Sequence, residues 1–293
     1  HGNQGEDGQI QGLFEMANVP YTGMRTLASA ALMDKSVTKR LLSGQDIPQL
    51  DGIALRRPAD GVVLSDAALE EAIGNAQFPA CVKPCHLGSS IGVAKVDNME
   101  ELREILPVIF RLDPVAVIEP FVPNLVEFNV SVSCFGGEMR TSAIERPKRA
   151  SELLDFREKY MSGSPGEKSG VKSPGSPSEG MLSLTRDINP EIPPELETNI
   201  KKWAVAAFEA AGGTGAPRID FLGDEETGEL WFNEVNPCPG SFGYFLWEAA
   251  DPPILFTELL SDLIEEAIEE FRNSRLPADP APKDARLFKR PYE

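Results

Sequence analysis

The sequence predicts an α+β chain in which two strand-rich segments carry their helices on one face. Helical and strand-like patterns alternate along it, and several strand pairs are separated only by turn residues. Turns that short join antiparallel neighbours, whereas a doubly wound parallel sheet needs a helix-sized crossover between strands.

The opening stretch, HGNQGEDGQIQGLFEMANVPYTG, carries a short helix over about 11–17 before a turn at Pro20. LASAALMDKSVTKRLLSGQDIP places apolar residues at helical spacing and reads as one helix ending near Gly44. GVVLS reads as a strand, and DAALEEAIGNA as a helix with Asp66 at its N-cap. FPACVKP and IGVAKV are two strands flanking the turn CHLGSS. NMEELREIL is a helix, and VAVIEPFV a strand stopped by Pro120 and Pro123. EFNVSVSCF and EMRTSAIE form a hairpin about Gly136 and Gly137. Residues 147–190 are rich in Ser, Gly, Pro and Lys and read as a long loop, either functional or disordered. An amphipathic helix over about 195–211 follows, then the strands PRIDFLG and ELWFNEVN joined by DEETG. The helix PPILFTELLSDLIEEAIEEFRNS closes the fold, and the Pro-rich residues after it are peripheral.

A net charge of −18 argues against nucleic acid and anionic lipid as main partners, while leaving room for a small anion in a locally basic cleft. No apolar run has the length of a membrane span, and no signal peptide is expected. The four cysteines lack paired metal-ligand spacing and read as reduced thiols of a cytoplasmic protein.

The most informative residues are Asp220 in RID and Glu234 and Asn236 in NEVN. Residues two apart in a strand share a face, and pairing through DEETG would bring Asp220 beside the other two. Three hard oxygen ligands on one face suit Mg²⁺, with Arg218 beside them as a planar fork for phosphate or carboxylate. A solvated face of an antiparallel hairpin is the plain alternative. KPCHLGSS is a second signal: Lys83 ends a strand, and the small residues Gly88, Ser89 and Ser90 let backbone N–H groups approach phosphate oxygens. It is no Walker A loop, and a simple hairpin turn fits it equally. Glu119 and Glu127 bracket a Pro-punctuated crossing that reads as an interdomain connection.

Taken in order, HGNQGEDGQIQG, MDK, VKPCHLGSSIGV, EKYMSG, RIDFL and NEVNPCPG resemble the motifs of the D-alanine–D-alanine ligase family of the ATP-grasp superfamily, from His1 to about Arg272. The resemblance implies an ATP-grasp fold, two sheet-containing domains clasping ATP. It divides the chain into a remnant of an N-terminal α/β substrate domain (1–26), a central domain (27–127), a C-terminal domain with a lid loop at 147–190 (128–273) and a tail (274–293). In the family a strand, a Gly-rich loop and a helix precede the first motif, and His1 is expected to follow their removal.

The same resemblance implies the roles. Lys35 and Lys83 would bind the ATP phosphates with Ser89 and Ser90, and Lys159 would reach the transferred phosphate from the lid. Glu119 would meet the adenine amino group, Glu127 the ribose, and the backbone of Pro120 and Val122 the adenine ring. Asp220, Glu234 and Asn236 would hold two Mg²⁺ ions, with Mn²⁺ as an alternative. Arg218 and the Gly240 N–H would form an oxyanion site, Ser89 and Tyr160 would orient the substrates, and His1 would lie near the second substrate. The implied reaction joins two D-alanines through an acyl phosphate for peptidoglycan precursors in the cytoplasm. A homodimer is implied where the N-terminal domain is complete. Simple register places Phe245 where relatives often have a Ser for the second substrate's carboxylate, so a ligase with a different second substrate is an alternative. A nucleotide-binding fragment without turnover is another.

Overall fold

A computed structural model of the chain describes residues 4–59, 64–74, 76–88, 91–148 and 186–274. Its centre is two antiparallel sheets. The first has four strands in the order β1-β4-β2-β3: β1 (Ile53–Arg56), β2 (Ala80–Pro84), β3 (Ala94–Val96) and β4 (Val115–Pro120). The second has five in the order β7-β6-β5-β8-β9: β5 (Leu125–Phe135), β6 (Glu138–Pro147), β7 (Arg186–Ile188), β8 (Arg218–Asp224) and β9 (Leu230–Asn236). The crossing between Pro120 and Leu125 joins the sheets, where its prolines end β4.

Two helices back the first sheet. α4 (Asp66–Ile73) is capped by Ser65, whose Oγ accepts from Ala68 N; the expected cap, Asp66, is instead the first helical residue. There its charge favours the positive helix end. α5 (Met99–Leu112) is capped by Asn98 and buries Leu102, Ile105, Leu106 and Ile109 against β2 and β4. β4 is buried along Val115–Glu119, which explains its near-continuous apolar run. β1 carries little strand signal, because IALR is short and its Arg56 is followed directly by Arg57. Residues 61–63 of the strand expected at GVVLS lie outside the described residues, and Leu64 and Ser65 are not in a strand.

On the second sheet, α6 (Pro194–Ala210) presents Ile200, Ala204, Ala207 and Phe208 to Phe128, Val130, Phe221 and Phe232. Each buried aromatic of this kind contributes roughly 1.5–3 kcal/mol. The same core takes in Met24, just before α2 (Thr26–Met33), Ala28 and Leu32 from α2, and Leu42 from α3 (Lys35–Leu42). α1 (Gln9–Met16) precedes them, and α7 (Tyr244–Glu248) and α8 (Phe256–Asn273) pack Trp247, Leu259 and Leu263 together at the far end.

The single helix expected over MDKSVTKRLL is two. Asp34 leaves the helical region at φ −92°, ψ 105°, and its carboxylate accepts from Ser36 N and Val37 N as the N-cap of α3. A continuous apolar period hides this break, which only the cap chemistry of Asp34 accounts for. Of the long loop expected at 147–190, residues 149–185 lie outside the described residues, while 186–188 pair with β6. Among the described residues, no helix is long and apolar enough to cross a membrane.

Candidate active site

The sheets face one another across a cleft of about 1020 Å³. Twelve of the residues singled out above line it: Lys35, Lys83, Gly88, Glu119, Pro120, Val122, Glu127, Arg218, Asp220, Glu234, Asn236 and Gly240. His1, Ser89, Ser90, Lys159 and Tyr160 lie outside the described residues.

Lys83 leaves β2 pointing into the cleft and is buried among acceptors. Its Nζ lies 2.6 Å from Glu119 Oε2 and donates to Asn233 Oδ1 at 3.0 Å. Glu119 is held from its other oxygen by Lys39 at 2.6 Å. Burial works against the Glu119 anion, yet the two lysines overcome it and keep the carboxyl below its usual range. Burial also opposes the Lys83 charge, and Glu119 reverses that, so the ammonium is held above its ordinary pKa. Lys35, the first residue of α3, sends Nζ to the Leu87 carbonyl at 2.7 Å and to Glu234 Oε2 at 3.0 Å. The loop after β2 is closed by Gly92 at φ +76°, where a Cβ would meet Pro84 Cγ at 2.8 Å, so the close approach requires glycine.

The acidic set comes from β8 and β9. Asp220 stands opposite Glu234 and Arg218 opposite Asn236 in an antiparallel register. The register shifts between Asp220 and Phe221, leaving Asn233 as an extra residue on β9. This bulge lets the adjacent Asn233 and Glu234 both line the cleft, which a regular strand would forbid. Arg218 grips Asp220 with two bonds of 2.7 Å, from Nε and from one terminal nitrogen. Burial pushes the Asp220 carboxyl up to about 6 against the pull of Arg218, while Asp220 holds the guanidinium above its usual value. Burial likewise acts to raise Glu234, but Lys35 and Lys83 outweigh it and leave the carboxyl lowered.

The set fits a hard divalent cation. Its donors are oxygens, from the buried carboxylate of Asp220 and the half-buried one of Glu234, and Asn236 Oδ1 is buried without a hydrogen-bond partner among the described residues. An unpaired buried amide oxygen is costly unless a ligand takes it.

Sequence reasoning missed four residues of this cleft or its walls. Asn233 sits inside NEVN, but its orientation depends on the bulge. Lys39 lies one helical turn beyond Lys35, a spacing that could have signalled a second cation on that face. Glu145 lies across the β5–β6 pair from Asn129, which donates to it at 2.9 Å, and Arg186 pairs with Glu145 at 3.0 Å.

A family profile described as the D-Ala–D-Ala ligase C-terminus matches residues 41–265, most of the chain. The chain belongs to the D-alanine–D-alanine ligase family. It is 35% identical over 276 residues to a D-alanine–D-alanine ligase of Deinococcus radiodurans, covering 92% of this chain and 74% of that protein. Among solved structures it is similar to the VanG D-Ala:D-Ser ligase of Enterococcus faecalis, at a TM-score of 0.71 and 28% identity, covering 91% of this chain and 71% of that one. It is also similar to the D-alanine–D-alanine ligase of Bacillus anthracis in complex with ATP, at a TM-score of 0.67 and 26% identity over 93% of this chain and 78% of that one. The fold is therefore the ATP-grasp α+β fold of that family, with its two antiparallel sheets enclosing the cleft.

Proposed function

We propose that the chain joins two D-alanines into D-alanyl-D-alanine while converting ATP to ADP and phosphate. The observation that carries this reading is the cleft itself, in which Lys35 and Lys83 stand over the oxygen set of Asp220, Glu234 and Asn236. The family membership supplies the reaction class.

A carboxylate oxygen of the first D-alanine attacks the γ-phosphorus, the bond to the ADP oxygen breaks, and an acyl phosphate forms. The amine of the second D-alanine then attacks the acyl carbon, loses its proton, and phosphate leaves with the former carboxylate oxygen. Negative charge gathers on phosphate oxygens in the first step and on the carbonyl oxygen in the second. Lys35 and Lys83 hold the phosphates, and Arg218 with the Gly240 N–H holds the carbonyl oxygen. Glu119, Glu127 and the backbone at Pro120 and Val122 hold the nucleoside. When bound at Asp220, Glu234 and Asn236, Mg²⁺ (two ions, with Mn²⁺ as the alternative) would neutralise phosphate charge and share its oxygens. His1, Ser89, Ser90, Lys159 and Tyr160 keep their expected roles within this proposal, with 147–190 as the lid that excludes water. We assign the activity to the cytoplasm, in peptidoglycan precursor synthesis, and a complete N-terminal domain to a homodimer contact.

Phosphate release and dipeptide formation, measured with ATP, Mg²⁺ and D-alanine, test the reading. D-alanine-dependent release with stoichiometric dipeptide is expected; release that ignores D-alanine overturns it. A second reading, a different nucleophile, rests on Phe245, whose ring lies 4.9 Å from the Arg186 guanidinium. A screen of D-amino and D-hydroxy acids as second substrate decides between them.

A further inference from the structure

A second cluster of ligand-type side chains lies at the foot of the β2–β3 loop. Asp34, Cys85 and His86 each offer one donor atom, all within 4.8 Å of one another. His86 Nε2 is 3.2 Å from Asp34 Oδ2, and Cys85 Sγ is 3.1 Å from Asp34 Oδ1. Donors about 2.0–2.3 Å from a common tetrahedral ion stand only slightly farther apart than this.

Behind the cluster, Asp113 is almost wholly buried and takes His86 Nδ1 at 2.9 Å, while its other oxygen accepts the His86 backbone N–H at 2.7 Å. The ring is thereby fixed with Nε2 turned towards Asp34. A carboxylate behind the far nitrogen of a ligating imidazole is how proteins orient metal-binding histidines. The charge points the same way: two carboxylates, Asp34 and Asp113, face one imidazole. The neighbouring Lys35 is committed to Glu234 and the Leu87 carbonyl. The side chain of His86 is 35% exposed, which opens a path for an ion and a fourth position for water.

We propose that Asp34, Cys85 and His86 form a binding site for one thiophilic divalent cation of the Zn²⁺ class, oriented by Asp113 and separate from the oxygen set at Asp220. A thiolate and an imidazole favour Zn²⁺ over Mg²⁺, whereas the oxygen set has the opposite preference. Binding forms bonds to Sγ, Nε2 and Oδ2. The Sγ proton, and the Nε2 proton where the ring is charged, pass to solvent. Asp34 Oδ1 keeps its bonds from Ser36 N and Val37 N, so α3 retains its cap. Burial pushes the Cys85 thiol up to about 11, and the bond to Asp113 raises His86, so affinity increases with pH. The charged groups facing the site among the described residues are Asp34 from the α2–α3 junction and Asp113 from the α5–β4 junction.

The test is a titration of the full chain, free of nucleotide, with Co²⁺ as the spectroscopic probe. The proposal expects one equivalent with a thiolate-to-cobalt charge-transfer band, bleached by Zn²⁺ and unaffected by excess Mg²⁺. The band should vanish in Cys85→Ser and persist in the triple variant Cys81→Ser, Cys134→Ser, Cys238→Ser. Asp113→Asn should weaken binding by about 10–100-fold. No thiolate band in the parent, or one that survives Cys85→Ser, overturns the proposal. Should Cys85→Ser fail to fold, the triple variant decides: a band at one equivalent supports the site and its absence refutes it.

Discussion

Lys83 on β2 donates to Asn233 on β9 at 3.0 Å, and this bond ties the two sheets together across the cleft. It is possible because the β9 bulge turns Asn233 inward beside Glu234. Asn233→Ala should therefore leave the Lys83 ammonium one acceptor short in a buried place. The expected result is a severalfold rise in KM for ATP and a stability loss of about 1.5–3 kcal/mol, the range for hydrogen bonds to charged groups. Steady-state kinetics and urea unfolding check both; an unchanged KM with unchanged stability would refute the role given to the bulge.

Lys83→Met removes one of the two cations that hold Glu119. Both partners are buried, so the remaining carboxylate loses compensation it cannot recover from water. A loss of about 3–5 kcal/mol is expected, as for other broken buried pairs. Because Glu119 is held below its ordinary pKa when folded, its contribution is full above the unfolded carboxyl pKa and disappears as pH falls through the lower folded value. The gap between parent and variant in urea stability should narrow in acid. A gap that is independent of pH would contradict the pairing.

Arg218→Lys keeps a positive charge but cannot reproduce the two-pronged grip on Asp220. If Arg218 holds developing charge on the carbonyl oxygen, kcat should fall by about 10²–10³-fold with KM for ATP little changed. A rise in KM for ATP with kcat intact would instead assign Arg218 to ground-state nucleotide binding.

In chelator, without metal, His86 bridges Asp113 and Asp34, and its pKa is raised above the ordinary histidine value by the bond to Asp113. A raised folded pKa means the stabilisation is complete below the unfolded value of about 6.5 and is lost as pH rises through the folded value. Parent and His86→Asn should thus differ most in mildly acidic urea titrations and converge at alkaline pH. Equal differences at all pH values would remove the ion-pair reading.

The motif order, the hairpins and the oxygen set were legible in the sequence because each depends on local chemistry: period-two strands, glycine turns, residue types two apart. Asp220, Glu234 and Asn236 could be brought together on paper through DEETG alone. The features that escaped are those set by distant partners or by one-residue irregularities. Asp34 interrupts an unbroken apolar period, so only its cap bonds reveal two helices. Asn233 gained a role through a bulge that no residue type announces. Asp34 and His86 are 52 positions apart, so their meeting with Asp113 depends on how the loop after β2 folds back on α3.

The central claim is that this cleft activates a D-alanine carboxylate by phosphoryl transfer and passes it to a second D-alanine. Turnover of D-alanine labelled with ¹⁸O in its carboxylate, followed by mass spectrometry of the released phosphate, tests it most directly. One ¹⁸O per phosphate, with a matching amount of dipeptide, is the predicted result. Phosphate free of label, or dipeptide formed without labelled phosphate, would contradict the account.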